Sequence, residues 1–231
     1  GAMGTFAKDN RGDTLDAFMR LSRPSPHASS PEPEAPLTFD AYAPAQIALR
    51  VREVGVTKAA MPVLTMFALA VLAGAFIALG SLFFTVTMTT GTTDQPTAFG
   101  LMRLAGGITF SLGLILVVVG GAELFTGNNL IAMAWASGRV TTQQIMRNWG
   151  WVYLGNLVGA VGTAALVWLA GIQSMGHGAV EETMVQIARS KIALDPVSAV
   201  ARGILCNVLV CLAVWLCMGA RTVTDKILAI V

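Results

Sequence analysis

Hydrophobic and polar positions divide the chain into a polar leading segment followed by long apolar blocks. Residues 43–59, PAQIALRVREVGVTKAA, place Ile47, Val51 and Val54 on one helical face with Arg50, Arg52 and Glu53 interleaved. That spacing predicts an amphipathic helix, and its place just before an apolar block predicts that it lies along a membrane surface. From Val63 to Thr93 there is no charged residue. A bilayer core needs about 20 apolar residues, so this block contains span 1. Phe99 to Ala136 is nearly twice the length a span requires, with Arg103 at its start, and reads as span 2 broken in its middle by GAELFTGNN (121–129). Trp149 to Gly171 is span 3, introduced by Thr141 and Gln144 at capping-box spacing. Gly203 to Ala220 is the centre of span 4, and DKILAIV (225–231) begins a further apolar segment.

Composition agrees with the pattern. Of the 231 residues, 55% are hydrophobic and only 12% charged, against about 25% charged in soluble domains. Residues 1–4 read as a tag remnant. Residues 5–42 are polar and hold Pro24, Pro26, Pro31, Pro33 and Pro36, so a disordered tail is expected there. Residues 60–231 form the transmembrane domain, with truncation expected within a fifth span. The basic residues fall in three groups: Arg50, Arg52 and Lys58 before span 1, Arg139 and Arg147 between spans 2 and 3, and Arg221 and Lys226 after span 4. If each span crosses once they share one side, which predicts a cytoplasmic N-terminus. Asp94, Arg103, Glu181, Glu182, Arg189, Lys191 and Asp195 fall opposite, a set of mixed sign. Small residues recur at helical spacing (Ala70 and Gly74, Gly155 and Gly159, Gly159 and Gly162), the usual means of close helix packing in membranes.

No catalytic constellation emerges. His27 and His177 lie far apart without partners, and Cys206, Cys211 and Cys217 share one apolar segment as small bundle residues. No enzyme activity, cofactor, metal site or nucleic-acid partner is expected. The interruption itself demands an explanation. Non-helical backbone at membrane depth is tolerated only when buried in protein or lining a cavity. A helix restarting near residues 126–128, with Thr126 or Asn128 as its cap, would present the positive end of its dipole at the midplane. A kink held by neighbouring helices is the plainer alternative, but a kink seldom needs Glu123, Thr126, Asn128 and Asn129 together. Glu123 reads as a brace tying down the loop through backbone amides.

GAELFTGNN, ASGRVTTQQIMRNWGWVYLGNLVGA (136–160) and GILCNVLVCLAVW (203–215) resemble, in order, three signatures of the formate/nitrite transporters. The resemblance runs from about residue 43 to the last residue. It implies an all-α, aquaporin-like bundle with broken helices, six spans of which about four and a half fall within this sequence. It also implies a homopentamer in the bilayer of the inner (plasma) membrane, with a pore in each protomer. Small monovalent weak-acid anions, or their neutral acids, would be the solutes: formate, nitrite or hydrosulfide. By the same resemblance, Phe110 and Leu114 are constriction residues on span 2, and Leu124, Phe125 and Thr126 belong to the loop walling the pore. Gly127 and Asn128 shape that loop with Glu123. Lys191 aligns with a basic residue of the outer vestibule, and Asn207 with a pore-facing amide on span 4. The family's central pore histidine and the phenylalanine beside it belong to the second half of span 5, past Val231. Read from its residues alone, Lys191 could be a solvated loop charge near Glu181 and Glu182, and Asn207 could hold two helices together. Arg202 could snorkel to the interface or face a loop. An aquaporin-like channel for neutral solutes is the alternative function, without the Asn-Pro-Ala half-helix starts of that group.

Overall fold

The computed structural model describes residues 40–89 and 99–231. The tag remnant, most of the proline-rich tail, His27 and Asp94 lie outside the described residues. Helix α1 (Pro44–Ala60) is followed by α2 (Val63–Met88) and α3 (Phe99–Gly120). The short helices α4 (Phe125–Asn128) and α5 (Ile131–Ala136) lead to α6 (Thr142–Leu169). A 3-10 turn (Ile172–Ser174) precedes α7 (Ala179–Ile192), α8 (Pro196–Gly219) and α9 (Val223–Ile230). No strand occurs among the described residues. Four helices, α2, α3, α6 and α8, are long and apolar enough to cross a membrane.

α2 is the hub, packed along α6 on one side and α3 on the other. Glycines make both contacts close. A Cβ on Gly159 would stand 1.9 Å from the Val71 carbonyl oxygen, and one on Gly74 would stand 2.1 Å from that of Asn156. Neither position admits alanine without moving a helix backbone. Gly162 is different, because nothing lies within 4 Å of a Cβ there, so it takes no part in this contact. α8 leans mainly on α1, α4 and α9, leaving Val200, Ile204, Leu205, Leu209 and Leu212 exposed.

α1 turns its apolar stripe onto the bundle. Ile47, Val51, Gly55 and Ala59 form its buried stripe, with i, i+4 spacing, while Val54 is only half-buried. α5, α6 and α8 cover α1, so protein and not lipid receives the stripe. Tyr42, placed with the tail by composition, donates its N–H to Gly219 O at 3.0 Å. The Arg50 and Arg221 guanidinium groups lie 4.1 and 4.2 Å from its ring centroid, a cation–π pairing. Arg147 Nη2 donates to Ala59 O (2.8 Å) and Met61 O (3.1 Å). Members of all three basic groups therefore gather at the α1 end of the bundle. At the opposite end of α2, Thr89 Oγ1 donates to Thr183 Oγ1 of α7 at 3.2 Å.

The mixed-charge region read as loop contains a helix of 14 residues, α7. Its ends explain it: Glu181 and Glu182 occupy the first turn and Arg189 and Lys191 the last, each sign opposite the dipole end it meets.

Candidate functional site: the break after α3

α3 ends at Gly121, whose φ of +75° is the left-handed conformation that closes helices and favours glycine. Ala122, Glu123 and Leu124 then run without helix, and a single turn resumes at Phe125. Its N-cap is Leu124, with no side-chain cap, and α5 likewise lacks one. Neither Thr126 nor Asn128 therefore has the capping role expected of it. Asn156 of α6 accepts the Phe125 N–H at 2.9 Å, so one of the donors that a helix start leaves unsatisfied is met from another helix.

Glu123 N–H donates to Leu69 O at 3.2 Å, and Asn156 Nδ2 donates to Ala70 O at 2.8 Å. At 1.5 Å per residue the break meets α2 about 10 Å from its start and α6 at Asn156, in the middle of that helix. The helical segments after it are one and two turns long, too short to build a substantial dipole.

Beneath the break is a buried polar knot. Glu123 is 3% exposed and Asn148 fully buried. Lys58 Nζ donates to Glu123 Oε1 (2.7 Å) and to Asn128 Oδ1 (3.0 Å). Asn128 Nδ2 donates to Glu123 Oε2 (2.7 Å) and Asn148 Oδ1 (3.0 Å). Asn148 Nδ2 returns to Lys58 O (3.1 Å), and Trp149 Nε1 donates to Asn128 O (3.1 Å). Both carboxylate oxygens are engaged, and the buried charge has the paired cation that burial requires. Lys58, Asn148 and Asn156 carry this arrangement and were not singled out from sequence. Asn148 and Asn156 are amides inside an apolar helix, which was the available signal.

The other candidate residues separate into groups. Leu114 and Leu124 meet on the wall of a cavity of about 220 Å³, with Lys58, Gly127, Asn128 and Val214. Phe110, one turn earlier on α3, is 39% exposed and lies edge-on to Phe84 with centroids 6.4 Å apart. Phe125 packs edge-on against Trp149 (6.4 Å) and Tyr153 (5.6 Å). Thr126 and Asn207 come together around Cys211, whose Sγ lies 3.4 Å from Thr126 O and 4.0 Å from Asn207 Oδ1. The Thr126 hydroxyl has no partner among the described residues, whereas those of Thr85, Thr163 and Thr183 bond to the carbonyl four residues back. Lys191 is exposed at the last turn of α7. Glu181 and Glu182 sit in the first turn of that helix, about 14 Å away at 1.5 Å per residue, so they do not neutralise it. Arg202, in the second turn of α8, is also exposed. Asp195 caps α8 by accepting the Ser198 N–H at 3.0 Å, and hydrogen bonds from the Ser198 side chain and backbone hold its carboxyl below the ordinary 3.8.

The sequence profile described as formate/nitrite transporter matches residues 45–231. Over 188 residues the chain is 46% identical to the formate channel FocA of Escherichia coli, covering 81% of this chain and 65% of that protein. It is 38% identical to YrhG of Bacillus subtilis, an uncharacterized transporter, over 81% of this chain and 69% of that one. Among solved structures, a pentameric formate channel with formate bound superposes with a TM-score of 0.66 at 42% identity, covering 73% of this chain and 65% of that one. An ion channel of the same family gives 0.69 at 29% identity, over 80% and 73%. The chain therefore spans about two thirds of the length of these relatives. An all-helical bundle with four membrane-length helices, a break after α3 and this similarity along residues 45–231 give one conclusion: this chain is an integral membrane protein of the formate/nitrite transporter family.

Proposed function

We propose that the protein conducts small monovalent weak-acid anions, formate, nitrite or hydrosulfide, across the inner membrane, as a homopentamer with its N-terminus cytoplasmic. The observation that carries this reading is the break at residues 121–124. It leaves the Thr126 hydroxyl without a partner among the described residues, one residue before Gly127 on the wall of the cavity that Leu114 and Leu124 share. The similar solved structure, a pentameric formate channel with formate bound, supports both the solute class and the assembly.

The polar and apolar groups divide the work. Lys191, exposed at the outer end, raises the local concentration of anions. Thr126, with backbone amides of the loop other than the Phe125 N–H that Asn156 holds, offers hydrogen bonds to an oxyanion, and Asn207 adds an amide. Glu123, Gly127 and Asn128 hold the loop in shape. Leu114 and Leu124, with Phe110 and Phe125 at other levels, supply the apolar passage. A bare anion entering such a medium costs tens of kcal/mol in the Born limit. Protonating an acid of pKa about 3.7 at pH 7 costs only about 4.5 kcal/mol. The neutral acid is the cheaper species to pass, so attraction as an anion precedes passage as an acid. The family's central histidine would be the proton donor.

A liposome assay tests the proposal. Internal pH and osmotic swelling are recorded after adding formate, nitrite, hydrosulfide or glycerol. Internal acidification on adding weak acids, without swelling in glycerol, is expected. Swelling in glycerol with no response to any weak acid would make the protein a channel for neutral solutes instead.

A further inference from the structure

Asn156 of α6 uses its carboxamide three times at the break. Oδ1 accepts the Phe125 N–H (2.9 Å), while Nδ2 donates to Glu123 O (2.9 Å) and Ala70 O (2.8 Å). The orientation of the amide follows from these partners, since a flipped amide would set N–H against N–H and oxygen against two carbonyls. Glu123 C=O and Phe125 N–H flank Leu124. They are the pair of backbone groups that a neighbouring β-strand would engage. One side chain thus stands in for a strand, and Leu124 is extended, at φ −104° and ψ 128°, between two helices. With the peptide groups on both sides fixed, the direction of the Leu124 Cα–Cβ bond is fixed as well. That direction delivers its side chain to the cavity wall where Leu114 also lies. The packing of α2 on α6 permits the reach, because Gly74 lets the Asn156 backbone approach to where a Cβ would stand 2.1 Å from its oxygen.

We infer that Asn156 is a positioning residue for the Leu124 constriction and sets which weak acids pass by size, without itself touching the solute. The inference rests on Leu124 narrowing the pathway, and the test separates the two. The purified protein in liposomes is assayed for formate and for acetate, which is larger by one methyl group, and the acetate-to-formate flux ratio is recorded. Leu124→Ala should raise that ratio by about tenfold, the lower range of what one methylene is worth in an apolar fit. Asn156→Asp keeps the shape and the acceptor for Phe125 but loses the amide donor. Asn156→Gln keeps every group but displaces them by a methylene. Each should raise the ratio several-fold, and adding Asn156→Asp to Leu124→Ala should raise it no further, the non-additivity of residues acting as a unit. A role confined to stability would lower both fluxes in proportion and leave the ratio alone. Asn156 variants with the parental ratio, or a double variant whose effect is the product of the singles, overturn the inference while leaving the constriction intact. An unchanged ratio in Leu124→Ala removes the constriction and this inference together. Should neither Asn156 variant assemble, hydrogen exchange on the unaltered protein still decides. The Phe125 amide should be strongly protected, and rapid exchange there would contradict the clasp.

Discussion

Removing Lys58 from the knot beneath the break should cost far more than removing an ordinary positive charge from a membrane flank. Its ammonium lies 2.7 Å from Glu123 Oε1, with side chains 25% and 3% exposed. At an effective dielectric of about 20, the attraction at that distance is about 6 kcal/mol before desolvation. Desolvation of both ions offsets most of this, so the net value of the pair is small. Breaking it is another matter, because Lys58→Met leaves a buried carboxylate whose one remaining side-chain donor among the described residues is Asn128 Nδ2. Orphaned buried charges cost about 3–5 kcal/mol, and water reaching the partly exposed Lys58 position argues for about 3. Adding Glu123→Gln removes the orphan charge, and the double variant should return to within about 1 kcal/mol of the parent, since neutral replacements of buried pairs are often tolerated. The coupling from the double-mutant cycle is then about 2 kcal/mol or more. Reversible unfolding in mixed micelles, followed by tryptophan fluorescence, reads all four corners of the cycle. A Lys58→Met protein as stable as the parent, or a double variant no better than the single, would refute the knot as the loop's support.

Gly159→Ala should destabilise by about 1–3 kcal/mol, since its Cβ meets the Val71 carbonyl at 1.9 Å and overpacking costs that much. Gly162→Ala, into open space, should stabilise by up to about 1 kcal/mol through helix propensity; thermal unfolding in detergent separates them. Lys191→Ala should reduce weak-acid uptake at low ionic strength, and the difference should vanish toward 1 M salt, where screening is effective within about 3 Å; equal uptake at low salt removes Lys191 from the pathway. The Asp195 cap stabilises the start of α8 above the carboxyl's unfolded value and is lost as pH falls through its lower folded value. Amide protection factors at residues 197–199 should therefore hold at neutral pH, fall in strong acid, and be low at all pH in Asp195→Ala.

Much of this architecture is visible in single residues of the sequence. Uncharged blocks mark α2 and α3, the Thr141–Gln144 spacing marks the start of α6, and GAELFTGNN (121–129) marks the region of the break. Three features were hidden for identifiable reasons. α1 has the alternation of a surface helix, yet its buried stripe is Ile47, Val51, Gly55 and Ala59, and a glycine and an alanine carry no apolar signal. α7 is too charged to stand out by hydropathy, although its acidic first turn and basic last turn give it away as a helix. The partners of the break, the Leu69 carbonyl and the Asn156 carboxamide, lie on other helices, and contacts between distant segments have no local signature. Lys58 shows the same limit: as one more basic residue beside a span it suggests topology, whereas its partners Glu123 and Asn128 lie 65 and 70 residues away.

On the function proposed above, the break offers a hydrogen-bonding hydroxyl to a passing weak acid at Thr126. Thr126→Val removes the hydroxyl at constant shape, and Thr126→Ser keeps it with one methyl fewer. Formate-driven acidification of liposomes should fall by about tenfold in Thr126→Val, equivalent to about 1.4 kcal/mol for one lost hydrogen bond, and stay near the parental rate in Thr126→Ser. Parental rates in Thr126→Val, with the protein folded and inserted, would contradict the account.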